Sequence, residues 1–256
     1  MATVTAPAAT SARPAHNLPG RRYDHYFFSA ATALMLLTVF VGFAPTYYLA
    51  GGLRAPLPSL IVHFHGAAFT LWMLLLITQT SLVAAHRTGL HKRLGMAGFA
   101  LGCLMIVLGV MVATDQLLRQ TTPGLPHAPG RDPQAFYIVP LTDILLFASF
   151  LYFGFRSRFD SIAHKRCLFL ATTALLDAAV ARMSFLHHHH NLAVVDLITC
   201  GFLVLLLAYD YWSTRKIHRV TLWGGVFLVL LQQLRLPFAT TAFWHSFPNW
   251  LLSFFR

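Results

Sequence analysis

The sequence predicts an all-α membrane protein of seven transmembrane helices, with the N-terminus in the cytoplasm and the C-terminus on the extracytoplasmic side. Three observations predict it. Of 256 residues, 57% are hydrophobic and 11% charged, where a soluble domain carries about a quarter charged. The apolar residues fall into seven long runs, and seven spans of ~22 residues would use about 154 positions, leaving too little chain for a soluble domain. The basic residues cluster in alternate connections, which orients the chain by the positive-inside rule.

The elements follow in order. Residues 1–26, rich in Ala, Thr and Pro and without an apolar signal-peptide core, read as a disordered cytoplasmic tail. The spans are 27–49, 59–84, 95–118, 136–155, 165–186, 192–211 and 220–244, which together make a membrane domain over 27–245. The fifth is interrupted by Asp177 and Arg182, and the seventh carries Gln232, Gln233, Arg235 and Pro237 in its second half. Residues 246–256 are left as a short extracytoplasmic tail. Arg13, Arg21 and Arg22, then Arg87, Lys92 and Arg93, then Arg156, Arg158, Lys165 and Arg166, then Arg215, Lys216 and Arg219 all fall on one side; these are 13 of the 19 Lys and Arg residues. The net charge of +11 is therefore a topology signal, and no basic run or soluble module points to nucleic acid. Cys103, Cys167 and Cys200 lie singly in apolar stretches and read as buried thiols.

A weak internal repeat accompanies this order. The third, fifth and seventh helices each begin behind a His followed by basic residues, at His91-Lys92-Arg93, His164-Lys165-Arg166 and His218-Arg219, which suggests three hairpins after the first helix. His63-Phe64-His65-Gly66, Leu90-His91-Lys92-Arg93-Leu94-Gly95, Ala163-His164-Lys165-Arg166, Tyr209-Asp210 and the segment 217–225 resemble a widespread group of uncharacterised bacterial seven-span membrane proteins, over nearly the whole chain beyond residue 22. That resemblance implies a bacterial inner-membrane location and carries no activity with it. A looser likeness to cytochrome b-type bundles rests on the shared use of His on apolar helices.

Ionisable residues inside spans cost roughly 2.5 to 3.5 kcal/mol each at the centre on insertion scales, which makes each a functional candidate. They gather on the extracytoplasmic side: His63, His65, Asp115, Asp143, Asp177, Arg182, the run His187 to His190, Asp196, Arg235 and His245. The expectation is a polar cavity opening toward that face. On the second helix His65, Trp72, Gln79 and His86 recur every seven residues and form an inward stripe. His63 shares its side with Gly66, Ala67 and Thr70, a face suited to close packing. On the fifth, Thr173, Asp177, Val180 and Ser184 form the inward stripe, and Arg182 is assigned Asp196 or Asp143 as its ion-pair partner.

Three functions fit these residues. The first is a haem b or transition-metal centre for electron transfer or metal handling, with His65, His245 and His187 as haem ligands and His63, His65, Asp115, Asp143, Asp177 and Asp196 as metal donors; Arg182 and Arg235 supply an ion pair or an anion site. The second is a metal-dependent membrane hydrolase built on His63, His65 and Asp115. Likeness to seven-helix zinc hydrolases of the ceramidase and adiponectin-receptor type stops at Ser59, His63 and Asp115, because the last helix offers only His245 where a pair is needed. The third is a small-solute or ion carrier with Asp143, Asp177 and Arg182 along its path. A scaffold, in which these residues only hold helices together, is the bland alternative. Retinal is excluded, since the three lysines, Lys92, Lys165 and Lys216, all sit in cytoplasmic turns. No Walker loop, GxSxG or HExxH is present.

Overall fold

The computed structural model describes residues 23–50, 59–122, 132–183 and 192–255. The described residues are helical with no strand: α1 (Asp24–Phe43), α2 (Leu60–Ala84), α3 (Thr88–Thr121), α4 (Pro133–Phe136), α5 (Ile138–Arg156), α6 (Ser161–Ala174), α7 (Asp177–Val180), α8 (Leu192–Thr214), α9 (Arg219–Ala239) and α10 (Ala242–Ser253). Six helical stretches are long and apolar enough to cross a bilayer: 24–48, 60–84, 88–121, 133–156, 194–214 and 219–239. Large apolar side chains such as Leu37, Leu74, Val107, Phe153, Val204 and Leu230 stand exposed on them. A face of that kind is solvated by lipid tails.

The fifth predicted span, 165–186, is the one that is not a single apolar helix. It forms α6 and α7, separated at Leu175 and Leu176. Thr172 and Thr173 donate their hydroxyls back to Leu168 O and Phe169 O, both at 3.0 Å, a pattern that bends helices. The next two amides then bond three residues back rather than four, Leu175 N to Thr172 O and Leu176 N to Thr173 O, which tightens the turn. Its polarity is tolerated because it is wrapped: Phe169 to Ala174, apart from small openings, and Leu176, Asp177, Ala179 and Val180 are buried against α1, α5, α8 and α9. A helix shielded from lipid need not be apolar.

One apolar core joins the bundle, with Met35, Trp72, Met105, Phe147, Leu170, Leu206 and Leu228 each contributed by a different helix. Close approach is set by glycine where α1 meets α7: a Cβ on Gly42 would stand 2.7 and 2.9 Å from the carbonyl carbon and Cα of Ala179. Just beyond, the chain widens into a π-helical turn over Ala44–Tyr48, with Leu49 N donating to Ala44 O at 2.8 Å. Pro45, which has no N–H to give an α-helical ladder, sits inside that turn.

The two ends of the bundle differ. At one lie the turns after α2, α5 and α8 with their Arg and Lys residues, held by buried polar contacts. Arg166 forms a bidentate, buried ion pair with Asp210, through Nε at 3.0 Å and Nη2. Asp210 also accepts from Thr221 Oγ1 and from His218 N at 3.1 Å. Lys165 pairs with Asp24, which accepts from Tyr209 at 2.6 Å. At the other end, the residues read as a tail form most of α10, an amphipathic helix whose Trp244 Nε1 donates to Gln134 O of α4 at 2.9 Å. Thr241 caps it, accepting from Trp244 N.

Candidate functional site

The polar residues at the α10 end separate into two neighbouring arrangements. The first is centred on Arg235 of α9. Its guanidinium donates to Asp143 of α5 at 2.7 Å, Asp177 of α7 at 2.9 Å and Asp196 of α8 at 2.7 Å. Gln232, one turn back on α9, donates to Asp177 at 2.9 Å, and Gln233 donates to Asp196 at 3.4 Å. All of these except Gln233 are buried. Asp177 Oδ1, Gln232 Oε1 and Arg235 Nε have no partner.

The charge count is the informative part. Three carboxylates on one guanidinium leave a formal excess of two negative charges. A low-dielectric interior does not hold such an excess bare; it takes up protons or a cation. The break between α6 and α7 places Asp177 where it meets both α8 and α9, so the cluster is assembled on a discontinuous helix.

The second arrangement is a cavity of about 420 Å³ on the other side of the same break, bounded by α1 with its π-helical turn, α2, and α6–α7. Its wall is mainly apolar, including Val39, Phe43, Phe69, Met73 and Leu176. His65 lines it and its Nδ1 is buried without a hydrogen-bond partner. Arg182 lines it too, stacked on Phe43 with the guanidinium carbon 4.7 Å from the ring centroid and Nη1 donating to Ala178 O at 2.6 Å. None of the described residues on the wall is acidic. Trp72 Nε1 reaches across to Thr172 Oγ1 at 3.3 Å, which ties α2 to α6 beneath it.

The chain matches no protein-family model, no curated protein and no solved structure. Its function is therefore argued from these two arrangements alone.

The predicted site residues distribute as follows. Asp143, Asp177 and Asp196 come together, and the cation that joins them is Arg235; Arg182, the partner assigned from the sequence, faces the cavity instead. The reason is the bend at 175–176, which turns Asp177 toward α9 and leaves Arg182, five residues on, beside α1. His65 faces the cavity while His63 is exposed, with Tyr47 donating to its backbone carbonyl at 3.3 Å. Asp115 forms an (i, i+4) pair with Arg119 at 2.8 Å near the end of α3 and joins neither arrangement. His245 Nδ1 donates to Gln134 at 3.1 Å and Nε2 lies 3.6 Å from Asp132, so its partners are around α4. His187, with the rest of its run, lies outside the described residues. Among the described residues no three His, Cys, Asp or Glu side chains are grouped as a metal site. Of the three thiols expected to be buried, Cys167 is, Cys200 is half-buried and Cys103 is exposed on the apolar surface of α3; none is paired with another.

Sequence reasoning missed Gln232 as a member of the cluster, although it lies one turn before Arg235 and shares its helix face. It also missed the buried pair Arg166–Asp210 and the meeting of His91 with His164. Those two rings, from the two His-Lys-Arg motifs, stand 6.5 Å apart between centroids at the basic end. His164 Nδ1 donates to Gly154 O at 2.7 Å, and His91 Nδ1 accepts from the Gln79 amide at 2.6 Å. These bonds tie α6 to α5 and α3 to α2 at that end.

Proposed function

We propose that the protein is a proton-linked carrier of a small organic solute, crossing a bacterial inner membrane seven times with its N-terminus in the cytoplasm and three hairpins after α1. In this reading α6–α7 is the fifth of the seven crossings, added to the six long apolar helices. The observation that carries it is the Arg235 cluster: three buried carboxylates answered by one guanidinium. The excess charge calls for an exchangeable ion, and a proton is the ion that buried carboxylates take most readily. The setting supports the same reading, since secondary transporters bind ions and substrates at discontinuous helices beside a cavity. The basic turns at one end support the orientation.

The test is infrared difference spectroscopy of the purified protein in lipid at neutral pH. A protonated-carboxyl carbonyl stretch that moves on exchange into deuterium oxide is expected, diminished in Asp143→Asn and in Asp196→Asn. With no such band the cluster has no coupling proton and the carrier reading is lost.

A haem or transition-metal centre is the second reading, favoured by the unpartnered Nδ1 of His65 on the cavity wall. An absorption spectrum of untagged protein, oxidised and then reduced with dithionite, decides it. A Soret band that shifts on reduction and disappears in His65→Ala would replace the carrier with a haem protein.

A further inference from the structure

We infer that the His65 cavity binds an amphiphilic anion: an apolar body about the size of a fatty chain, carrying a single phosphate or carboxylate head. The wall is apolar over most of its area, and a cavity of about 420 Å³ lies within the range of ~300 to 1,000 Å³ common for sites that enclose a small organic ligand. Among the described residues that line it, His65 and Arg182 are the basic side chains and none is Asp or Glu. The guanidinium of Arg182 therefore sets the sign of what can enter. An anionic head beside Arg182 forms a charge-assisted hydrogen bond in a medium where an unpaired charge is costly. The unpartnered His65 Nδ1 supplies a second polar contact, as an acceptor for the remaining hydroxyl of a singly charged phosphate head. A neutral head of the same shape gains only the weaker bonds, and a cationic head meets Arg182 directly.

The carrier reading gives this binding a use, and the inference depends on it for nothing else. An amphiphilic anion crosses a bilayer poorly because its head must leave water. Moving it together with a proton from the adjacent cluster cancels that charge. Cavity and cluster share the α6–α7 break, so a change at one is mechanically close to the other.

The experiment uses the full chain in nanodiscs of uncharged phosphatidylcholine, with radiolabelled dodecyl phosphate as the probe and empty nanodiscs as the background. Dodecanol should compete at least about tenfold more weakly than unlabelled dodecyl phosphate, and dodecyltrimethylammonium should not compete. Arg182→Gln should weaken dodecyl phosphate binding about tenfold and narrow the gap between phosphate and alcohol. Equal competition by the three head groups overturns the inference, as does an Arg182→Gln protein with unchanged affinity and head-group preference. Val62→Trp, which fills the cavity while leaving Arg182 in place, guards against misfolding of the Arg182 variant; full binding in that protein also overturns it. The carrier reading fails separately, if dodecyl phosphate binds as described but a proton gradient across proteoliposomes does not drive its uptake.

Discussion

Arg235 has three acidic partners and each Asp has one cationic partner, so the two kinds of residue are not equivalent in the fold. Replacing Arg235 by Leu strands three buried carboxyls, and breaking a buried pair from one side costs about 3 to 5 kcal/mol. Asp143→Asn instead removes one unit of an excess charge while preserving shape and hydrogen-bonding capacity. Thermal unfolding in mild detergent should therefore show a large loss for Arg235→Leu and an unchanged or higher midpoint for Asp143→Asn. Comparable losses in both would mean that the site is a balanced salt bridge rather than one overloaded with acid. At this scale the sequence was a guide to which residues matter and, for His65, to the face it takes. Costly residues in apolar runs marked Asp143, Asp177, Asp196 and Arg235 among the wider set, and a seven-residue period placed His65 inward; His63, expected on a close-packing face, is exposed instead. Partner choice was not legible, because periodicity gives the direction of a side chain on its own helix and says nothing about which neighbour stands opposite. The sequence reading gave the carboxylates Arg182; the bend at Leu175 turns it away and leaves Arg235 as their mate.

Among the elements, α6–α7 and its contact with α1 decide the geometry of both arrangements. Gly42 lets α1 approach the backbone of α7 so closely that no side chain fits. Gly42→Ala must push the two apart, an overpacking strain of about 1 to 3 kcal/mol, and we expect a lowered thermal midpoint together with weakened probe binding in the cavity. A variant with wild-type stability and binding would mean that α1 is free to shift. The N-terminus of α9 offers a pH-dependent case. His218 caps it, with Nδ1 accepting from Val220 N at 3.2 Å, a bond that requires the neutral ring. Burial, then the nearby Arg166, holds its pKa below the ordinary histidine value. The unfolded chain thus binds the proton more readily than the folded one. The cap's contribution, typically ~1 kcal/mol, is complete above about pH 6.5 and is lost as pH falls through the lowered folded value. His218→Asn keeps a capping acceptor without the titration, so its thermal midpoint should fall less than that of the wild type between neutral and mildly acidic pH. Parallel curves would count against the cap. The fifth span was legible as the weak one because its polar residues interrupt the run; the break itself depended on two threonine hydroxyls whose effect composition does not record.

For the whole molecule, the two ends carry different chemistry. Basic turns, the Arg166–Asp210 pair and the Lys165–Asp24 pair lie at one; the carboxylate cluster, the cavity and α10 lie toward the other. If α6–α7 crosses the membrane, the chain makes an odd number of passes and its termini are on opposite sides; if it does not, six passes return them to the same side. Fusions of a cytoplasmic fluorescent reporter and a periplasmic phosphatase to each terminus should report the N-terminus inside and the C-terminus outside. Both termini on one side would remove the α6–α7 crossing. The all-helical, multi-pass architecture was legible from hydropathy because lipid imposes it directly, and the charge pattern added an expected orientation. One part of that signal had a second origin: Arg166, counted among the topology-setting residues, is buried on Asp210 and is needed to hold α6 to α8. The C-terminal helix was hidden because it is too short and too mixed to register as a span, and its partner α4 is a single turn.

The discontinuous helix also bears on how the chain is made. Asp143 and Asp177 leave the ribosome well before Arg235, which lies on the last long helix. A translocon assessing α6–α7 alone meets a segment with an acid and two basic residues and little to favour partition into lipid. If that segment crosses the membrane, its stable insertion waits for α9 to arrive and lock Asp177, so the last long helix to be synthesised completes the centre of the bundle rather than its edge. Nascent chains stalled before α9 would expose unpartnered carboxyls within the membrane, a signature that quality-control proteases can distinguish from the finished fold.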